Sequence, residues 1–545
     1  MAKVNGSKIL GRALRRHVDT LFYIMGGPML AAENACIAEG IRMIDVRHEQ
    51  AGVMMAHAWS RLLNKPGASM AASGPGVMNL VTGVATAWAD CAPHVAIGGS
   101  APAHRAGRGE FQDVDQVNVF KSITKWTDRV LDPARIPEQL ATAFRHAVSG
   151  RPGPVYLDMP GDVLYQEVDE EKVVYPTAAL AVARTRPAGD ARAVRQALEL
   201  LAGAQKPLVL TGTGVFWSDA CEELRRFVET AGIPFYTTPQ GRGVLPDDHE
   251  LSFLAARSTA CREADVLLVV GTRSNYINLH FTAPRYSADA KLIQIDIDPL
   301  DIGLTRPCDC PIIGDAKAVL QQLLDEGKSR FNSKRYTGWV THLAEVNHEQ
   351  TAKAEAQLAN DQTPIHPLRL CKEVRDFLDR DAILVVDGQE ILNYGRQSIP
   401  TFYPRHRLNS GPFGTMGVGL PFGIGAKLAC PDKQVLVLHG DGSFGLNAME
   451  LDTAIRYNIP VVTVISLNGG WTGDPNHEKP GRELGYTRFD KMAEALGCYG
   501  EYVEDPAQIR PALERAFKSG VPAVVNVKTD FRARAGTANF AAYYT

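Results

Sequence analysis

The sequence predicts an α/β protein made of three doubly wound parallel-sheet domains. Short apolar segments alternate with helical segments along most of the chain, which is typical of parallel sheets covered by helices. The length of 545 residues corresponds to roughly three compact units at about 100–200 residues per domain. A composition of 45% hydrophobic and 22% charged residues excludes a mainly disordered chain.

The strand candidates divide the chain into three units, residues 1–170, 190–335 and 362–530, followed by a tail, 531–545. A polar, irregular stretch predicts a linker after the first unit, and a charged, helical stretch predicts a connection before the third. The predicted strands are Leu21–Ile24, Met43–Val46, Ala68–Ala72, His94–Gly98, Val155–Met159, Pro207–Leu210, Val266–Val270, Lys291–Asp296, Ile383–Val386, Val435–Leu438, Val461–Ser466 and Ala523–Val527.

Charge and hydropathy exclude several function classes. The chain has 58 Lys and Arg against 61 Asp and Glu, so no basic excess indicates a nucleic-acid partner. Its longest apolar stretches are far shorter than the ~20 residues that span a bilayer, which predicts no membrane partner. The first 16 residues lack a continuous signal-peptide core, and the nine cysteines are dispersed. We therefore expect a cytoplasmic protein.

Two neighbouring strand ends in the third unit carry a metal-binding pattern. Gly440, Asp441, Gly442 and Ser443 follow one strand, and Asn468 follows the next. Open parallel sheets bind ligands at the carboxyl ends of their strands. Carboxylate and amide oxygens are hard ligands for Mg²⁺, and the glycines let the backbone approach a diphosphate closely. The pattern therefore predicts a Mg²⁺-diphosphate site.

This pattern resembles the diphosphate motif of the thiamine-diphosphate-dependent enzymes, in which Gly-Asp-Gly is followed by a pair of asparagines. The chain departs from it at Leu467, which stands in place of the first asparagine. The resemblance implies a thiamine diphosphate cofactor with Mg²⁺ held by Asp441, Asn468 and the backbone oxygen of Gly470. It also implies that the third unit is the diphosphate-binding domain. The other cofactor contacts implied there are Gly388, Gln389, Met416, Gly440, Gly442, Ser443, Trp471 and Thr472.

A second motif lies in the first unit, where Glu49 follows a predicted strand. A carboxylate there is ordinarily a solvated helix-start residue. In the thiamine family the matching Glu lies in an apolar crevice and hydrogen-bonds N1′ of the aminopyrimidine, which promotes removal of the thiazolium C2 proton. The resemblance makes Glu49 the main catalytic candidate, with Pro75 and Asn79 as further contacts of this pyrimidine-binding domain. It also implies a homodimer or homotetramer with sites shared between subunits.

Within the family, the chain looks most similar to the 2-hydroxyacyl-CoA lyases and oxalyl-CoA decarboxylases, chiefly through residues 404–419 and the central unit. This resemblance implies cleavage of a 2-hydroxyacyl-CoA to formyl-CoA and an aldehyde or ketone. Three alternatives stay open. They are an acetolactate synthase-like or benzaldehyde lyase-like activity on free 2-keto acids or hydroxyketones, oxalyl-CoA decarboxylation, and a non-catalytic cofactor-binding protein.

The same resemblance implies substrate contacts. Phe111 and Gln112 match the aromatic and polar residues over the reacting centre, and Gly27 leaves room for a branched, ketone-releasing substrate. The remaining candidates are Trp471 as a wall of the site, the tail 531–545 as a lid over CoA, and four arginines for the CoA phosphates, Arg405, Arg407, Arg532 and Arg534.

The central, Rossmann-like unit contains half of a dinucleotide fingerprint. Residues 211–214 read Thr-Gly-Thr-Gly after a strand, and Asp296 ends a later strand where a carboxylate can bind a ribose hydroxyl. CoA-using relatives hold an ADP moiety in this domain, so ADP is a further candidate ligand. The alternative is that the domain serves only as a scaffold.

Overall fold

The structure, a computed structural model, describes residues 2–176, 185–471, 478 and 480–535. The chain forms three parallel sheets of six, five and six strands, each packed against helices. This confirms the predicted fold class. No helix among these residues is long and apolar enough to cross a membrane.

The N-terminal sheet has six parallel strands. In spatial order they are Arg42–Asp45, Thr20–Tyr23, Gly67–Ala71, His94–Ser100, Pro154–Pro160 and Thr127–Arg129. Its central strands are buried along their whole length, as expected for a parallel sheet covered on both faces. The helices of this domain are Gly6–Arg15, Leu30–Ala38, Glu49–Leu63, Pro75–Asn79, Val81–Ala89, Gln116–Phe120, Ile136–Val148 and Gly161–Tyr165.

A small antiparallel ladder joins the start of the chain to the end of the first predicted unit. Lys3–Asn5 pairs with Glu167–Asp169, so the polar stretch from residue 165 onwards, predicted as irregular, contains a strand. Residues 177–184 of the linker lie outside the described part of the chain.

The central sheet has five parallel strands. In spatial order they are Phe235–Thr237, Pro207–Thr211, Val266–Val270, Lys291–Asp296 and Cys310–Ile313. Its helices are Ala191–Gly203, Gly214–Trp217, Cys221–Ala231, Arg257–Glu263 and Ala316–Gly327. The long helix Thr337–Leu358 then leads to the C-terminal domain, in agreement with the predicted helical connection.

The C-terminal sheet has six parallel strands. In spatial order they are Arg407–Asn409, Ile383–Asp387, Val435–Gly440, Val462–Leu467, Ala523–Lys528 and Tyr499–Val503. Its helices are Pro367–Phe377, Glu390–Ser398, Gly419–Ala429, Asp441–Asn447, Glu450–Arg456, Phe489–Ala495 and Ile509–Lys518.

A long helix–helix contact is one of several contacts that join the N-terminal and C-terminal domains. Helix Glu49–Leu63 packs along helix Gly419–Ala429, and the side chains of both contribute to one continuous core. A Cβ atom on Gly425 would collide with the carbonyl oxygen of Met55, so the missing side chain permits this close approach. The contact fixes the direction of the helix that begins at Glu49.

Candidate active site

Glu49 is the first residue of its helix and is only 8% exposed. Its Oε2 accepts a hydrogen bond from Nδ2 of Asn79 at 2.9 Å. A Cβ on Gly76 would lie 3.2 Å from the Glu49 Oε1, so the glycine leaves that oxygen accessible. The structure therefore brings Glu49 together with the short helix Pro75–Asn79, and Asn79 orients the carboxylate.

Ser73 connects two of the predicted substrate residues. Its Oγ lies 3.1 Å from the carbonyl oxygen of Gly27 and 2.6 Å from Oε1 of Gln112, with donor geometry toward both acceptors. A Cβ on Gly27 would meet no atom within 4 Å, so open space lies beside this residue. Gln112 adopts a φ of 59°, and the neighbouring Phe111 is 82% exposed. Ser73 thus links Gly27, which has open space beside it, to Gln112.

Gln116 forms hydrogen bonds with the loop that carries Ser73 and Gly74, and it was not predicted as a site residue. It is fully buried, and its Oε1 accepts from the backbone N of Gly74 at 2.7 Å. Its Nε2 donates to Oδ1 of Asp158 at 2.8 Å. Gln116 therefore ties the loop before Pro75 to the segment that follows Gln112. A glutamine without a surrounding motif gives no signal of this role in the sequence.

The Asp441 carboxylate lies at the end of strand Val435–Gly440 and accepts two backbone hydrogen bonds, from Gly442 at 2.8 Å and Gly469 at 2.7 Å. Burial raises the pKa of Asp441 to about 6. Asn468 lies at the end of the neighbouring strand. These oxygen donors fit a hard divalent cation, whose charge would favour the ionised carboxylate.

A narrow cleft surrounds this pair, and glycines shape it. A Cβ on Gly388, whose φ is +115°, would lie 3.1 Å from the backbone N of Gly440. A Cβ on Gly442 would lie 2.6 Å from the Trp471 ring. Larger residues would fill the cleft, so the cradle fits an extended anion such as a diphosphate. The other predicted residues that line it are Gln389, Met416, Asp441, Ser443, Asn468 and Gly470. Thr472 lies outside the described residues.

Asp387 was not predicted as a site residue, and it fixes the loop that carries Met416. Its Oδ2 accepts from the backbone N of Gly419 at 2.8 Å, and its Oδ1 accepts from Gly388 at 2.6 Å. Burial raises the pKa of Asp387 to about 6. The carboxylate thus joins the two loops on either side of the cleft.

Sequence profiles of three domain families match the chain in the order of its three sheets. The thiamine pyrophosphate enzyme N-terminal TPP binding domain matches residues 4–119, the central domain matches 194–323, and the C-terminal TPP binding domain matches 393–527. The chain belongs to the thiamine pyrophosphate enzymes. The family resemblance stated from the motifs is confirmed.

Relatives of this thiamine pyrophosphate enzyme align over almost its full length. A 2-hydroxyacyl-CoA lyase of Arabidopsis thaliana is 36% identical, with 97% of this chain and 96% of the relative aligned. A probable acetolactate synthase of Mycobacterium bovis is also 36% identical over the same shares. An oxalyl-CoA decarboxylase of Escherichia coli is 35% identical, over 96% of this chain and 95% of the relative. Overall identity therefore does not separate these three activities.

In a single chain of this thiamine pyrophosphate enzyme, the two groups of candidate site residues lie apart. The described residues that line the cleft around Asp441 belong to the C-terminal domain or, in the case of Ala533, to the tail that follows it. Glu49 lies with Asn79 in the N-terminal domain and does not border that cleft.

The four arginines predicted for CoA phosphates lie in different environments. Arg405 donates from Nη2 to the carbonyl oxygen of Phe216 at 2.6 Å, in the central domain. Arg407 is 1% exposed, and burial lowers its pKa to about 9. A CoA phosphate cannot reach Arg407 without rearrangement of the core. The buried position of Arg407 therefore contradicts its predicted role in binding the CoA phosphates. Arg532 and Arg534 flank Ala533, which lines the cleft.

A cavity of about 820 Å³ lies between the N-terminal and central domains of this enzyme. It is lined at the strand ends of the central sheet by Gly214, Gly271 and Asp296, and on the facing domain by Asp90 and Arg151. Burial raises the pKa of Asp296 to about 6. The predicted ribose-binding carboxylate therefore lines a cavity large enough for a nucleotide.

Proposed function

We propose that this enzyme is a carbon–carbon lyase that cleaves a 2-hydroxyacyl-CoA to formyl-CoA and an aldehyde or ketone. The observation that carries the proposal is the link from Gly27 through Ser73 to Gln112, with open space beside Gly27, on the loop 73–79 that also contacts Glu49. A branched carbon bearing a hydroxyl fits beside a glycine, where a larger side chain would exclude it. The lyase relatives support the same reaction class.

Residues of the C-terminal domain would hold thiamine diphosphate and Mg²⁺. Asp441, Asn468 and the backbone oxygen of Gly470 would bind the metal, the strand-end glycines the diphosphate, and Met416 the bent cofactor. When bound, the cofactor supplies a removable C2 proton and a ring that accepts an electron pair. Glu49 would hold a proton at N1′ of the aminopyrimidine, and the surrounding apolar core would limit the access of water to it.

The reaction balances without a further reactant. The bond between the thioester carbonyl carbon and the hydroxyl-bearing carbon breaks. The hydroxyl-bearing carbon loses its hydroxyl proton and leaves as an aldehyde or ketone, and the carbonyl carbon gains a proton and leaves as formyl-CoA. Because Oε1 of Gln112 accepts from Ser73, its Nε2 is the group that would donate to the thioester oxygen.

We infer a homodimer or a homotetramer from the separation of the two groups of candidate site residues. A second copy would place the Glu49 of one chain over the Asp441 cleft of the other. Large exposed apolar side chains near both groups support this arrangement, since water-exposed patches of this kind mark interfaces. They are Met25, Leu30, Phe111, Phe413, Met416 and Leu446.

A product assay tests the proposed reaction. Protein loaded with thiamine diphosphate and Mg²⁺ is given a short branched 2-hydroxyacyl-CoA, with oxalyl-CoA, pyruvate and benzoin in parallel. We expect formyl-CoA and the matching ketone from the first substrate, detected by liquid chromatography and mass spectrometry. Formyl-CoA from oxalyl-CoA alone would indicate the decarboxylase. Product from pyruvate or benzoin alone would assign the acetolactate synthase-like or benzaldehyde lyase-like activity instead.

We also propose that the central cavity binds the ADP moiety of a nucleotide. The Asp296 carboxylate would accept hydrogen bonds from the ribose hydroxyls, and Arg151 would face the phosphates. At pH 7.5 we expect Asp296→Asn to weaken ADP binding roughly 10–150-fold, since one charge-assisted hydrogen bond is worth roughly 1.5–3 kcal/mol. Titration calorimetry measures this, with the exposed Asp325→Asn as control. Equal affinity of wild type and Asp296→Asn would contradict the assignment.

A further inference from the structure

The residues just before Glu49 are held by the C-terminal domain of the same chain. Glu450 begins helix Glu450–Arg456 and is 1% exposed. Its Oε1 accepts from the backbone N of Arg47 at 3.1 Å and from that of His48 at 3.0 Å. These are the two peptide groups that immediately precede Glu49.

Other side chains of the same segment hold the neighbouring backbone. The hydroxyl of Tyr457 accepts from the backbone N of Asp45 at 2.8 Å, and Arg456 donates from Nη2 to the Asp45 carbonyl oxygen at 2.9 Å. On the other side of Glu49, Nε2 of Gln50 donates to Oδ1 of Asn447 at 3.0 Å. The turn from strand to helix is therefore fixed from outside its own domain.

Two opposing electrostatic effects act on the Glu450 carboxylate, namely stabilisation by nearby backbone N–H groups and the free-energy penalty of burying a charge. The first backbone N–H groups of a helix have no partner within it, and a carboxylate beside them is stabilised by the helix dipole. Burial disfavours the charge and raises the pKa of Glu450 to about 7. The Thr453 hydroxyl, which donates to Oε2 at 2.6 Å, offsets part of that cost. Both carboxylate oxygens of Glu450 thus accept hydrogen bonds, Oε1 from the turn before Glu49 and Oε2 from Thr453.

We propose that Glu450 is a positioning residue for Glu49, which it places at the cofactor through the Arg47 and His48 peptide groups. The inference rests on the proposed role of Glu49. Glu450 contacts neither the Asp441 cleft nor the substrate residues, so it acts only through the backbone it holds. Displacement of Glu49 slows proton transfer while the diphosphate and metal contacts stay intact.

The test uses Glu450→Ala and the conservative Glu450→Gln. The Gln oxygen still accepts from both backbone groups, and its amide can donate to Thr453. The matched control is Glu514→Ala in helix Ile509–Lys518 of the same domain, whose exposed carboxylate lies 3.4 Å from Nε of Arg510 and away from the turn. The first readout is hydrogen–deuterium exchange of residues 45–50 in the cofactor-free protein, measured by mass spectrometry.

The second readout is the exchange rate of the thiamine C2 proton in the loaded enzyme without substrate, measured by proton NMR. We expect Glu450→Ala to slow it about 10–100-fold, the range of losses typical when a supporting residue is removed. Cofactor affinity should change little, and Glu450→Gln and Glu514→Ala should stay within about threefold of wild type. Amide exchange at 45–50 should rise in Glu450→Ala alone.

A folded Glu450→Ala protein with wild-type C2 exchange would overturn the inference, and so would an equal loss in Glu514→Ala. If Glu450→Ala does not fold, Glu450→Asp replaces it, since the shorter carboxylate keeps the charge but withdraws from the two backbone groups. Failure of the proposed function is distinguishable. In that case C2 exchange is fast in the wild type but no formyl-CoA forms, or Glu49→Gln leaves the C2 exchange unchanged.

Discussion

Glu49→Gln lowers the turnover of the loaded enzyme by roughly 10²–10⁴-fold, the range that a positioned acid or base contributes. Gln has nearly the same size as Glu and can still accept from Asn79, but it cannot hold or give up a proton at the cofactor. The loss should appear in kcat, because the residues proposed to hold the diphosphate and the metal lie outside the N-terminal domain. Steady-state kinetics and near-UV circular dichroism separate the loss of chemistry from a loss of fold.

The control for this prediction is Glu138→Gln, which removes an exposed carboxylate that pairs with Arg135 at the surface. It should retain wild-type turnover. Near-normal turnover of Glu49→Gln would remove Glu49 from the mechanism.

The sequence predicts the interior of the sheets better than their edges. Every predicted strand is present, with ends that shift by at most a few residues. Five of the strands that sequence reasoning missed lie at sheet edges, and they are Thr127–Arg129, Phe235–Thr237, Cys310–Ile313, Arg407–Asn409 and Tyr499–Val503. Central strands of a parallel sheet are buried on both faces and appear as apolar runs. The five missed edge strands span only three to five residues each, which is too short to stand out as apolar runs.

The same distinction applies to the candidate site. Asp441 and Asn468 are predicted because each lies at a strand end within a local motif, and the structure places both beside one cleft. Glu450 and Gln116 act on backbone groups that lie far away in the sequence, which no local pattern reveals. Arg407 shows the converse error, since an arginine in a family-like segment gives no indication of whether the fold buries it.

Asp90→Ala should destabilise the protein by about 3–5 kcal/mol, because it leaves a buried guanidinium without its charge partner. Asp90 Oδ2 accepts from Nη1 of Arg61 at 3.2 Å and lies 3.0 Å from Nε2 of His57, and Oδ1 accepts from Gln240 at 2.6 Å. All four side chains are buried. Burial alone would raise the pKa of Asp90, but His57 and Arg61 hold it below its ordinary value.

The sign of the pH dependence follows from that direction. A carboxyl group with a lowered pKa in the folded state contributes stability above its unfolded value, near pH 3.8, and loses this contribution as the pH falls further. Urea denaturation of wild type and Asp90→Ala at pH 7.5 measures the difference. The surface variant Asp19→Ala, which removes an exposed partner of Arg15, should cost at most about 1 kcal/mol.

The double variant Arg61→Leu/Asp90→Leu decides whether the charge pair or the packing carries the effect. Removing both charges leaves neither of them unpaired, so the double variant should lose less stability than Asp90→Ala alone. Because His57 and Arg61 lie on the helix that begins at Glu49, and Gln240 belongs to the central domain, this cluster fixes that helix against a second domain. A loss below about 1 kcal/mol in Asp90→Ala would show that helix packing alone holds it there.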